Sequence, residues 1–198
     1  MGRIVNGLAV ALTIFAAAFV WSADASAAGK GPSGVHAGSQ LAASMLADIT
    51  QASWIAEGKG PHVVYVFFDP NCPYCHKLYE ETRSWVSQGK LELRWIPVGV
   101  LTTTSEGKAA AMLGAKDPLK AFYQNENHYS RSGGGGGLEE GLAGPAIEKK
   151  LKANESLLAR TGFGAVPTML FRAKDGQAVL VQGSPPNDKL KPILDSVK

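Results

Sequence analysis

Cysteine is nearly absent from this chain: its 198 residues hold only Cys72 and Cys75. Two cysteines cannot build a disulfide framework. One C-x-x-C supplies two of the four ligands of a structural zinc, and His62, His76 and His128 form no second paired motif, so no metal is expected. Charge is sparse as well. Charged residues make up 19% of the chain and the net charge is +3, too mild for a nucleic-acid partner. Lys149, Lys150 and Lys152 follow Glu148 and read as a solvated helix face. The glycine run at 133–137 follows no strand and lacks a Gly-Lys-Ser/Thr ending, which excludes a phosphate loop. No other cofactor is called for.

A long apolar run occurs at the N-terminus. Arg3 supplies a positive start, Leu8 to Trp21 is apolar apart from Thr13, and Ala25-Ser26-Ala27 is a small-x-small cleavage site. Residues 1–27 are therefore predicted to be a secretory signal cut after Ala27. The run is short for a membrane span, and no cysteine follows it to carry a lipid. Ala28–Lys198 is one domain's worth of chain. Export brings the cysteines to an oxidising compartment. A bridge across two intervening residues closes too small a loop to brace a fold, so the pair reads as a reactive site.

Ala28 to Gly38 is small, Gly-rich and expected to be mobile. Gln40 to Glu57 reads as a helix capped by Ser39, with Leu41, Met45, Ile49 and Ala52 at helical spacing. Val63 to Phe68 is an unbroken β-former run, as in a central strand buried on both faces. Asp69-Pro70-Asn71 breaks it, and a helix follows from about Pro73 to Gln88. Leu91 to Val98 alternates as a second strand. Residues 105–124 are helical with a break at Asp117-Pro118. "SRSGGGGGLEEGLAG" (130–144) reads as a flexible loop, and Ala146 to Arg160 as a helix. Thr168–Arg172 and Ala178–Gln182 form a hairpin, and a helix from about Asp188 to Val197 closes the chain. Trp54, Trp85 and Trp95 are expected in the core. The order is β, α, β, helical insertion, β, β, α. That is an α/β, thioredoxin-like fold with an inserted helical segment at about 103–160.

"FFDPNCPYCHKL" (67–78) places Cys72 where a strand ends and a helix begins. Orphan N–H groups and the helix dipole favour negative charge there, which lowers a thiol pKa. Cys75 lies one turn on, so the two sulfurs share a face and can close a Cys72–Cys75 disulfide. Cys72 is the expected nucleophile and Cys75 the resolving thiol. Pro73 and Tyr74 fill the loop between them. Val166-Pro167, at the start of the third strand, is expected to be a cis bond facing the dithiol, in a loop that pairs with an incoming chain. Two rivals remain. Cys72-x-x-Cys75-His76 also satisfies the attachment signature of c-type haem, with Met112 or Met169 as a second axial ligand. A non-enzymatic module would use the groove alone. His76 otherwise reads as a surface residue of the active-site helix.

"VYVFFDPNCPYCHKL", "WVSQGKLELRWIPVGV", "AAAMLGAKDP" and "GAVPTMLFRAKDGQAVLVQG" resemble the catalytic domain of the DsbC/DsbG family of periplasmic thiol-disulfide interchange proteins, nearest to DsbG with its Cys-Pro-Tyr-Cys tetrad. The resemblance runs from about Trp54 to the C-terminus. It implies periplasmic disulfide exchange with protein substrates bearing disulfides or oxidised cysteines, and a DsbD-like membrane partner. It implies Cys72 and Cys75 as catalytic residues and Pro167 as the cis-proline. On this reading residues 28–60 are a flexible N-terminus and linker helix, and 61–198 the catalytic domain. The family's dimerisation domain has no counterpart, which implies a monomer. Val166 stands where the family typically has Thr. Valine there is similar to the oxidase DsbA, whose partner is DsbB. The buried acid that thioredoxin carries six residues before its first cysteine is replaced by Val66, so proton handling falls to water or another group.

Overall fold

The computed structural model describes Met1–Gly2 and Gly34–Lys198. Nearly all of the expected leader lies outside the described residues. The described residues form one mixed sheet of six strands with helices on both faces. The strands are β1 (Gly34–Ala37), β2 (Ile55–Glu57), β3 (His62–Phe68), β4 (Leu91–Pro97), β5 (Thr168–Arg172) and β6 (Ala178–Gln182), in spatial order β1-β6-β5-β3-β4-β2. The helices are α1 (Gln40–Ala47), α2 (Pro73–Ser87), α3 (Ser105–Gly114), α4 (Pro118–Asn127), α5 (Pro145–Ala159) and α6 (Asn187–Asp195).

β3 is central because nearly every residue in it is apolar and both its faces are covered. It runs parallel to β4, with Val66 opposite Trp95, and antiparallel to β5, with Val66 opposite Met169. Side chains alternate across the sheet. Val64, Val66 and Phe68 meet α2, α4 and α6 through Leu78, Phe122, Leu190 and Leu194. Phe67 faces the other way, with Ile96, Leu170 and Leu180, onto α1 and the end of α5. Trp95 is fully buried, whereas Trp54 and Trp85 lie half-buried at the margin of these clusters.

Four sequence expectations need correction. Residues 34–37 are not a free arm: they form β1, antiparallel to β6. The segment 40–57 is not one helix. α1 ends at Ala47, a 3-10 turn spans Ile49–Gln51, and Ile55–Glu57 pairs with β4 as β2. The helical spacing is real, since Met45, Ile49 and Ala52 are all buried, but an open sheet edge claims the chain after it. α1 is accordingly no linker, because Ala42 and Met45 are fully buried in the core, and the domain begins well before residue 61. The glycine run is no loose loop either: Gly135 and Gly136 are buried, and an antiparallel bridge joins Ser130 to Gly135.

Candidate active site

β3 ends at Phe68 and α2 begins at Pro73, so Cys72 occupies the N-cap of α2. A proline at the first helical position has no N–H to satisfy. The Cys75 N–H donates to the Cys72 sulfur at 3.2 Å, which satisfies one orphan donor of α2 with the sulfur itself. Both residues are thiols in this structure. Their environments differ in sign. Hydrogen bonds from the Cys75 thiol, and from the N–H groups of Cys75 and Tyr74, hold Cys72 below the ordinary thiol range against the opposing effect of burial. Burial pushes Cys75 well above that range, and the neighbouring Cys72 sulfur pushes it further. One thiol is poised to ionise and the other to keep its proton.

The Val166–Pro167 bond is cis, and the Cys72 thiol donates to Val166 O at 3.6 Å. Pro167 is buried where β5 begins. Beside this contact lies a cleft of about 460 Å³ walled by Tyr74, Leu101, Phe163, Val166 and Ser184. Tyr74, Leu101 and Phe163 are exposed at 63%, 49% and 72%. Three large apolar side chains left in water around one cleft mark a binding surface. The Asp69 carboxylate, almost fully buried, accepts from the N–H groups of Asn71, Val100 and Leu101 and from the Ser105 hydroxyl. It ties the end of β3 to the loop after β4.

The sequence reading brought Cys72, Pro73, Tyr74, Cys75, Val166 and Pro167 forward, and the fold places them together. It missed the wall supplied by the insertion. Glu126 of α4 is buried and accepts from His76 Nδ1 at 3.0 Å and Asn125 Nδ2 at 3.0 Å. Its negative charge is among the causes that raise the Cys75 thiol. The Tyr129 ring stacks on His76 at 4.2 Å, and burial together with the Cys72 charge pushes its phenol up to about 12. His76 is thus no surface residue, with a side chain only 16% exposed. Val66 lies in the apolar cluster with both cysteines, so the buried acids near the dithiol are Asp69 and Glu126 instead. No motif announces Glu126, because its role depends on which face of α4 meets α2.

This packing does not fit haem attachment. A haem would be linked at both sulfurs, and Cys75, 1% exposed, sits in the apolar cluster between α2 and the sheet, where a macrocycle has no room.

The chain matches the thioredoxin-like domain family over residues 50–198. It is 40% identical over 157 residues to the thiol:disulfide interchange protein DsbG of Pseudomonas aeruginosa, covering 78% of this chain and 60% of the relative. It is 34% identical over 149 residues to DsbG of Escherichia coli, covering 73% and 58%. The chain therefore spans about three-fifths of the length of these relatives. Among solved structures, Proteus mirabilis ScsC in a transitional conformation superposes with a TM-score of 0.60 at 19% identity, covering 79% of this chain and 78% of that one. Pseudomonas aeruginosa DsbA2 superposes with a TM-score of 0.53 at 21% identity, covering 71% and 91%. These two likenesses speak to the fold.

Proposed function

This chain belongs to the thioredoxin-like domain family, and from that premise we propose that it is a periplasmic thiol-disulfide oxidoreductase of the DsbG-like reductase and isomerase branch. The observation that carries the reading is the Cys72 sulfur at the N-cap of α2, taking the Cys75 N–H and lying against Val166 O.

The chemistry follows from the two unlike thiols. A Cys72 thiolate attacks one sulfur of a substrate disulfide, forms a mixed disulfide and expels the other substrate sulfur as thiolate. Cys75 then gives up its proton and attacks the Cys72 sulfur. The Cys72–Cys75 disulfide forms and the second substrate thiolate leaves. Two electrons pass from protein to substrate, and a DsbD-like membrane donor resupplies them. Isomerisation stops earlier: another substrate thiol attacks the mixed disulfide, and no net electrons move. The loop before Pro167 offers backbone groups to an extended substrate chain, as an added strand. The cleft beside Tyr74, Leu101 and Phe163 takes its apolar side chains.

One observation favours the reverse direction, a DsbA-like oxidase refilled by a DsbB-like partner. Val166 places no hydroxyl beside the Cys72 sulfur, and its side chain packs into both apolar clusters. Acid-quenched alkylation of Cys72 and Cys75 in the host periplasm separates the two. A mostly reduced pair is expected, and a mostly oxidised pair would assign the oxidase direction. In a Cys75→Ser variant, mixed disulfides should accumulate on Cys72. Their absence would remove Cys72 as the nucleophile.

A further inference from the structure

We propose that the helical insertion clamps the two residues before Cys72 and so sets the position of its sulfur, with Lys108, Gly135 and Gly136 as positioning residues. The proposal rests on Cys72 being the reactive thiol.

Pro70 and Asn71 lie between β3 and α2 and take no part in the sheet, so their polar groups need other partners. The Asn71 N–H goes to Asp69, and the insertion supplies most of the rest. Pro70 O accepts from the Gly136 N–H at 3.1 Å and from Asn125 Nδ2 at 3.0 Å. Asn71 O accepts from the Tyr129 hydroxyl at 3.0 Å. Asn71 Nδ2 donates to the hydroxyls of Thr102, Thr104 and Ser105. Lys108 Nζ closes the clamp, donating to Asn71 Oδ1 at 2.8 Å and to Gly136 O at 2.6 Å. The ammonium thus ties the glycine run to the active-site loop.

Glycine is required there by space. A Cβ on Gly135 would stand 2.4 Å from Asn71 Oδ1 and 2.6 Å from Asn71 Cα. One on Gly136 would stand 2.0 Å from Asn125 Oδ1. Gly134 differs: its φ is also positive, at +85° against +111° for Gly135, but nothing lies within 4 Å of its Cβ position. Gly134 is therefore an open position, and Gly135–Gly136 a seat pressed against Asn71 and Asn125. Asn71 is the immediate chain neighbour of Cys72. A shift of its Cα displaces the N-cap sulfur relative to the Cys75 thiol and the Cys75 N–H, both of which lower its pKa.

Gly134→Ala and Gly135→Ala give the test, because they share the strain of a positive φ and differ in the contact. Both would be made in the full chain, together with Lys108→Gln in case Gly135→Ala fails to fold. The readouts are the pH profile of Cys72 alkylation by iodoacetamide in the reduced protein, and thermal unfolding. Gly135→Ala and Lys108→Gln should move the alkylation midpoint to higher pH by about half a unit or more, which slows alkylation about threefold at any pH below both midpoints. Gly134→Ala should lower the unfolding temperature and leave the profile in place. A Lys108→Gln profile that coincides with the wild type would overturn the clamp, as would equal shifts from Gly134→Ala and Gly135→Ala. A wild-type Cys72 with no reactive thiolate would overturn the dithiol reading as well, so the two failures are distinct.

Discussion

The stability of the reduced protein should rise with pH, turn over near the ordinary thiol value of 9.0, and then fall. Cys72 accounts for the rise. Its thiol is lowered because its sulfur takes hydrogen bonds from the Cys75 thiol and from the Cys75 and Tyr74 N–H groups. Between the folded Cys72 value and 9.0, the unfolded chain keeps a proton that the folded chain has released. Unfolding then takes up a proton, so stability increases with pH, at a limiting slope of about 1.4 kcal/mol per pH unit for one proton. The contribution is fully present above 9.0 and lost as pH falls through the folded Cys72 value. Cys75 acts with the opposite sign. Burial holds its thiol well above 9.0, so above that pH the unfolded chain ionises while the folded chain does not. Unfolding then releases a proton, and stability falls with the same limiting slope of about 1.4 kcal/mol per pH unit. The assay is urea unfolding under a phosphine reductant, in steps from about pH 6 to about pH 10, on both sides of the ordinary thiol value of 9.0. Subtracting the curve of Cys72→Ser cancels the other titrating groups and isolates the rising limb; Cys75→Ser isolates the falling one. A Cys72→Ser curve that runs parallel to the wild type below the turnover would refute the asymmetry on which the mechanism rests.

Three further outcomes are expected. Glu126→Gln removes a negative charge that raises the Cys75 thiol, so Cys75 should ionise at lower pH; alkylation of Cys75 in a Cys72→Ser background reads this, and an unchanged midpoint would detach Glu126 from the dithiol. Arg83→Met leaves the fully buried Glu57 carboxylate without its bidentate partner and with the Trp95 indole N–H at 2.9 Å. It should cost about 3 kcal/mol in urea unfolding, the lower end for breaking a buried pair, and a loss under about 1 kcal/mol would show Glu57 satisfied without the ion pair. Phe163→Ser combined with Leu101→Ser should slow reduction of an unfolded protein disulfide by about tenfold while sparing a small aromatic disulfide; equal effects on both would remove the cleft from substrate binding, since burying two large side chains is worth more than the ~1.4 kcal/mol that tenfold represents.

Much of the fold was legible because its signals are local. The unbroken apolar run of β3 requires two covered faces, and only the middle of a sheet provides them. Ser39 as N-cap of α1, Pro73 and Pro118 at helix starts, and the alternation in β4 each act within a few residues. β1 and β2 were not legible. Four and three residues long, they carry too little pattern to outweigh the Gly-rich and helical readings of their surroundings, and they exist because β6 and β4 have open edges to pair. The glycine run misled for a related reason: without side chains it reads as freedom, and only its neighbours show that Gly135 and Gly136 are where a side chain cannot fit.

The sequence by itself determined the chemistry at the centre: two cysteines one helical turn apart, at the end of a buried strand, with a proline at the start of helix α2. Those features lie within a few residues of one another, and short-range sterics and capping suffice to express them. Tertiary structure alone decided what surrounds the sulfurs. Val166, Glu126, Tyr129, Lys108 and Gly136 are 36 or more positions away from Cys72, and each reaches the site through the packing of another element. Hydrogen bonds and desolvation act over a few ångströms of space. A separation along the chain carries no record of them until the chain is folded.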